Sequence, residues 1–230
     1  MPNLPGFMPR MWRSARGGTL HPRLVRQPGA RVVDGTRRDV IVTSDPCTVV
    51  ASFGSGPLAL VLAEQPARVR ETKWNLGGLC SDRVLSFPNL LFAGRFHRGV
   101  FESAYAFFLK EPYAGLDSRL YHTILPNATD SGWICMGNAM TRDALVRSTA
   151  ALTGWREKLE VLIEHFWTSC FTDHLIERLT DRGPQLHPHL TSLASWEEAS
   201  RRNPDFVHDV AWVPAFTAGD FVQHRIGGRR

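Results

Sequence analysis

The chain has 230 residues and a mass of 25.8 kDa, room for one sizeable domain with extensions or two small ones. Hydrophobic residues make up 43% and charged residues 21%, and no apolar run reaches the roughly 18 residues of a membrane helix, which excludes a helical span. The net charge of +5 is local: residues 1–40 hold eight arginines against two acids, whereas the other 190 hold 19 basic and 20 acidic side chains.

Residues 1–39 read as an irregular basic arm, rich in Pro and Gly and without apolar periodicity, with a short strand near 31–33. Such an arm reads either as a nucleic-acid contact or as a solvated tail, and the composition favours the tail. From Val40 the pattern turns to β. Val40–Thr43, Thr48–Phe53 and Leu58–Ala63 are short aliphatic runs separated by turn residues. Residues 74–85 fit neither period. Leu90–Phe92, Val100–Phe101 and Ala104–Leu109 follow as strands, with Gly94–Gly99 as the connection between the first two. Residues 111–140 then form a long loop of the kind that carries function.

Helices come next. A short one covers about 142–152. In the main one Trp155, Leu159, Leu162, Ile163, Phe166 and Cys170 make one apolar face, with Thr153 as its cap and Asp181 to Pro184 as its end. Ser195 and Glu198 make a capping-box pattern for a small helix that stops before Asn203-Pro204, and 206–222 leans to β. Strands first and helices after predict an α+β fold, an antiparallel meander sheet with helices packed beside it. The expected plan is the arm 1–39, a domain over 40–182 and a C-terminal extension over 183–230.

The four cysteines, Cys47, Cys80, Cys135 and Cys170, contain no C-x-x-C pair. That spacing disfavours a disulfide scaffold and a zinc knuckle, and favours a reducing compartment such as the cytoplasm. Cys47 and Cys80 read as packing residues, and Cys170 as core on the helix face. His187-Pro188-His189 lacks accompanying ligands, so no metal is expected there.

The stretch Leu125-Pro126-Asn127-Ala128-Thr129-Asp130-Ser131-Gly132-Trp133-Ile134-Cys135-Met136-Gly137-Asn138 stands apart. Pro126-Asn127 sets a turn, Gly132 allows positive φ, and Trp133-Ile134 anchors the chain. Cys135 is then either a thiol at the lip of that anchor or a buried free cysteine. Asn127, eight residues back, either folds over the thiol or braces its own loop.

This segment resembles the active-site segment of ubiquitin-conjugating enzymes, with Pro-Asn, a short loop and an Ile-Cys-Leu-like triplet. With Pro88–Phe92, Ala104–Lys110, Leu120-Tyr121 and the run Trp155 to Thr172, it is similar to the prokaryotic conjugating-enzyme-like proteins of PRTRC cassettes, family D (system protein B-like). The likeness spans about residues 85–180. Leu125 stands where the family has His, and Gly137 where it often has an acid.

The resemblance implies the ubiquitin-conjugating fold and a thioester-forming transferase that needs no cofactor. Cys135 would accept a ubiquitin-like modifier from a ThiF-like activating enzyme and pass it to an amine or hydroxyl of a protein target. Asn127 matches the residue that steadies the oxyanion. Asp130 and His122 are near in sequence for the proton transfer, which stays open between them. Bacterial relatives suggest antiphage defence or plasmid maintenance. Two other classes stay open: a non-catalytic adaptor of the same fold, and a nucleic-acid-binding cassette protein that uses the basic arm.

Overall fold

The computed structural model describes residues 12–13, 19–20, 47–76, 79–172 and 177–226. The strands expected near 31–33 and at 40–43 lie outside these residues, as does most of the arm.

Two short strands, β1 (Trp12–Arg13) and β2 (Thr19–Leu20), pair with each other. The main chain path begins with β3 (Thr48–Ser55) and β4 (Leu58–Gln65), which runs past Pro66 into β5 (Arg68–Leu76). The return strand is β6 (Leu79–Phe87), which passes Pro88 into β7 (Asn89–His97). These four segments form one long antiparallel ladder, from Leu58 opposite His97 to Leu76 opposite Leu79, broken only where the prolines fall. Proline has no N–H to give the ladder, so the break belongs there. The Asn89 side-chain oxygen accepts the Ala67 N–H at 2.8 Å and holds the bend together.

Beyond the bend, β8 (Val100–Leu109), β9 (Arg119–Tyr121) and β11 (Pro214–Thr217) extend the larger half into a six-stranded antiparallel sheet of order β11-β9-β8-β7-β4-β3. The smaller half, β5 and β6, gains β10 (Cys170–Thr172) parallel to β5. The result is a mixed α+β fold around a curled, mainly antiparallel sheet.

Helices cover both faces of the large sheet. The helix α1 (Ala139–Ala150) leads to α2 (Trp155–Thr168), which buries Leu159, Leu162, Ile163 and Phe166 on one face. The last helix, α5 (Ala218–Ile226), places Phe221, Val222 and Ile226 on the other face against Leu60, Leu62, Leu91 and Phe107. Two covered faces explain why β4 and β7 read as unbroken apolar runs and not as alternating ones.

Between them come α3 (Glu177–Leu186) and α4 (Leu193–Arg202). Helix α4 lies along the outer edge of β6. Glu197 accepts the Val84 N–H at 3.0 Å and pairs with Arg83 at 2.9 Å, and the Ser200 hydroxyl accepts the Ser86 N–H at 2.8 Å. Side chains thus occupy donors that an open edge strand would present to another chain.

The core is unusually aromatic where the two sheet halves meet. Phe87 packs on Trp167 and Trp196 with ring centroids 5.0 and 5.3 Å apart, and Phe166 packs on Phe92, Trp167 and Phe171 at 5.7, 4.9 and 5.6 Å. The buried indoles keep polar partners, as Trp167 donates to Gln65 and Trp196 to the Ser86 carbonyl. Residues after 183 belong to this core too: Leu186, Leu190, Trp196, Phe206 and Trp212 are buried in it.

Several local expectations are corrected. Residues 74–76 and 79–85 lie in two long paired strands, β5 and β6. Residues 94–97 are strand, and the reversal is a two-residue turn at Arg98-Gly99. The main helix ends at Thr168, where Ser169 is extended and its hydroxyl donates to the Phe166 carbonyl at 2.7 Å. Gly154, not Thr153, precedes that helix, and Ser192, not Ser195, caps α4.

Removing the Phe166 ring leaves a void beside three aromatic residues, Phe92, Trp167 and Phe171. Phe166→Ala is expected to cost about 3–5 kcal/mol of unfolding free energy, read from the midpoint of a urea transition at unchanged slope.

Candidate functional site

Residues 127–135 form a miniature hairpin fastened to the edge of β8. The Ala106 N–H donates to the Gly132 carbonyl and the Ile134 N–H to the Ala104 carbonyl, both at 2.9 Å. Within the hairpin the Thr129 N–H donates to the Trp133 carbonyl and the Cys135 N–H to the Asn127 carbonyl, both at 2.8 Å, on either side of the bridge Ala128–Ile134. Its entry is the Pro126-Asn127 turn, closed by the Ala128 N–H on the Leu125 carbonyl at 3.1 Å.

This register decides where every side chain goes. Ala128, Gly132, Ile134 and Met136 are buried, while Trp133 and Cys135 are exposed and Asn127 half-buried. Asn127 and Cys135 stand opposite one another across the hairpin, with the Cys135 thiol exposed and the Asn127 side chain half-buried. Of the two readings of Cys135, the buried one is therefore excluded.

Asn127 is equally informative. Its Oδ1 is enclosed by protein yet has no hydrogen-bond partner. The oxygen does not brace the loop; backbone bonds and packing do that. An enclosed polar atom without a partner costs about 1–3 kcal/mol.

Other residues fix the loop. Gly132 has φ +75°, and a Cβ there would lie 2.1 Å from the Phe107 ring, so only glycine fits against that ring. Leu125 is fully buried and anchors the start of the loop in the core. Gly137, at φ +95°, turns the chain into Asn138, whose side chain accepts the Thr141 N–H at 3.0 Å and starts α1. Any residue with a Cβ at this position would have to adopt a left-handed backbone.

The two residues left open for proton transfer fall together. His122 and Asp130 line one cavity of about 340 Å³ with Arg182, Gln185, Leu186 and Val213. Asp130 pairs with Arg182 at 2.9 Å, and His122 Nδ1 is enclosed without a partner. A residue that spacing did not single out is His165 on α2. Its Nε2 lies 3.2 Å from the carbonyl oxygen of Met136, the residue after Cys135. Only the amphipathic face of α2 hinted at that neighbourhood.

The remaining cysteines separate clearly. Cys47 is buried, and burial, followed by the charge of Glu160, pushes its thiol up to about 11. Cys80 is exposed and not packed, and Cys170 lies half-buried in β10 and not in the helix core, which corrects both expectations. Among the described residues no group of three or more His, Cys, Asp or Glu is placed to hold a metal, and no helix is long and apolar enough to cross a membrane. No family model, curated protein or solved structure matches this chain.

Two outcomes follow from this geometry. At pH 8, iodoacetamide labels Cys135 and Cys80 in the folded chain and spares Cys47 until denaturant is added, because a thiol at about 11 is only roughly one part in 10³ thiolate there; peptide mass mapping reads the order. Gly132→Ala destabilises the chain by about 2 kcal/mol or more, from overpacking on Phe107 and a strained backbone, and denaturant unfolding measures it.

Proposed function

We propose that this chain is a ubiquitin-conjugating-enzyme-like acyl carrier with Cys135 as its nucleophile. The observation that carries the reading is an exposed thiol on a pinned hairpin, held directly opposite Asn127 by the Cys135 N–H on the Asn127 carbonyl. The path of the chain supports it as well. Four meander passes (β3, β4–β5, β6–β7 and β8) precede the site loop, and α2 then lies across the sheet, the order expected of the ubiquitin-conjugating fold.

The Cys135 thiolate attacks the carbonyl carbon of a ubiquitin-like protein held as a thioester on a ThiF-like activating enzyme. The carbonyl oxygen becomes an oxyanion, to which the Asn127 amide donates. Collapse expels the activating enzyme's thiolate and leaves the modifier on Cys135. An amine or hydroxyl of the protein target then attacks that carbon, its proton passes to a base, and the Cys135 thiolate leaves. His122 and Asp130, together in one cavity, are the bases offered. His165 acts as a positioning residue through the Met136 carbonyl. Trp133 is 41% exposed on the face of the thiol, and Met140, in the first turn of α1, is 81% exposed. They give apolar surface for the tail of the carried protein.

The test mixes the chain with ATP, a ThiF-like activating enzyme and a ubiquitin-like protein. A band heavier by one modifier is expected on a non-reducing gel, lost under thiol reductant and in Cys135→Ala. Asn127→Ala slows both loading and discharge to free amine, by about 10²–10³. Binding of the modifier with no thioester, unchanged by Cys135→Ala, would replace this reading with that of an adaptor.

A further inference from the structure

Two arginines from far along the chain reach the turn of the site hairpin. β8 fixes the strand that carries Gly132 and Ile134. The other strand is bonded to that one, by the Thr129 N–H on the Trp133 carbonyl and by the Asn127 carbonyl accepting the Cys135 N–H. At the turn, Asp130 Oδ1 accepts from Arg182 Nη1 of α3 at 2.9 Å. The next residue, Ser131, accepts from Arg225 Nη2 of α5 through its carbonyl at 3.3 Å.

The two helices pack in opposite cores. Leu186 of α3 is buried in the core that α2 fills, whereas Phe221, Val222 and Ile226 of α5 are buried in the other. Arg225 is itself held in place, since its guanidinium lies 4.4 Å from the Tyr105 ring centre and 5.8 Å from that of Phe221. Tyr105 is the β8 residue bridged to Trp133 of the hairpin. A planar guanidinium can stack on a ring and donate in its own plane at once.

We propose that Arg182 and Arg225 are positioning residues, which clamp the hairpin turn and so hold Asn127 opposite Cys135. Each contact alone is weak. The Arg182 and Asp130 side chains are 43% and 54% exposed, and water and salt screen such a pair. Arg225 grips a backbone carbonyl, so it restrains the path of the chain directly. Grips on consecutive residues, from helices seated in opposite cores, oppose a hinge of the Asn127 strand in either direction, where one grip opposes it in one. The stretch after residue 180, expected as an extension outside the domain, thereby becomes part of the site. Its effect on transfer rests on the acyl-carrier reading; its effect on the hairpin does not.

The experiment follows amide hydrogen exchange in the full chain carrying Arg225→Met or Arg182→Asp. The first keeps an unbranched apolar stem, and the second sets like charges together at Asp130. Exchange of the Thr129, Gly132 and Cys135 amides speeds up by about 5–30-fold in each, while amides of residues 60–63 in β4 keep their rates. Adding Asp130→Arg to Arg182→Asp restores the pair in reverse and returns exchange to within about 3-fold of the native chain, a rescue that lost packing does not allow. Native hairpin rates in both single variants, or equal acceleration in β4, overturn the proposal. Thioester discharge to free amine then reads the consequence: each single variant lowers the maximal rate and leaves the half-saturating amine concentration unchanged. A native chain that forms no thioester refutes the acyl-carrier reading, and exchange still decides the clamp.

Discussion

The account depends on the register with which residues 131–137 lie against β8. Two backbone bonds at 2.9 Å, from Ala106 and Ile134, set that register, and strand alternation does the rest. A slip of one residue would turn Cys135 inward and Ile134 outward. Ile134 and Met136 resist the slip, since each buries a large apolar side chain for about 1.5–3 kcal/mol. The position of the thiol is therefore decided by its apolar neighbours more than by the cysteine itself.

The same logic links the core to the site. Helix α2 covers one face of the sheet with Leu159, Leu162, Ile163 and Phe166, and between the last two it presents His165 to the Met136 carbonyl. Phe107 belongs to the opposite core, yet its ring is what Gly132 passes over. The hairpin is thus held from both layers, which would leave Asn127 and Cys135 with little freedom to reorganise in the proposed transfer. Preorganisation of that kind is what makes a single amide donor effective toward a developing oxyanion.

Much of this was legible in the sequence, and the failures have physical causes. The runs at 48–53 and 58–63 are strands because aliphatic residues cover both faces of a buried sheet. The pairing of β5 with β6 was hidden because Arg70 and Thr72 are polar residues on the inner face. Arg70 stacks on the Trp167 ring at 4.4 Å, and that tertiary contact cannot be seen in local periodicity. Cys170 continues the helical spacing from Trp155, but Phe171 gains more as a strand residue beside Trp74, at 5.1 Å between rings. At the site, the eight-residue spacing of Asn127 and Cys135 announced a pair on one loop. His165 was not legible, because its place beside Met136 arises only when α2 packs, 29 residues later.

The most direct test is a nuclear Overhauser contact between the Asn127 side-chain amide protons and the Cys135 β protons in labelled full-length chain. Residues opposite one another across the hairpin predict a clear cross-peak, together with slow exchange of the Cys135 backbone amide bonded to Asn127. Absence of that cross-peak, with Cys135 β protons instead contacting the Ile134 neighbours in the core, would contradict the account.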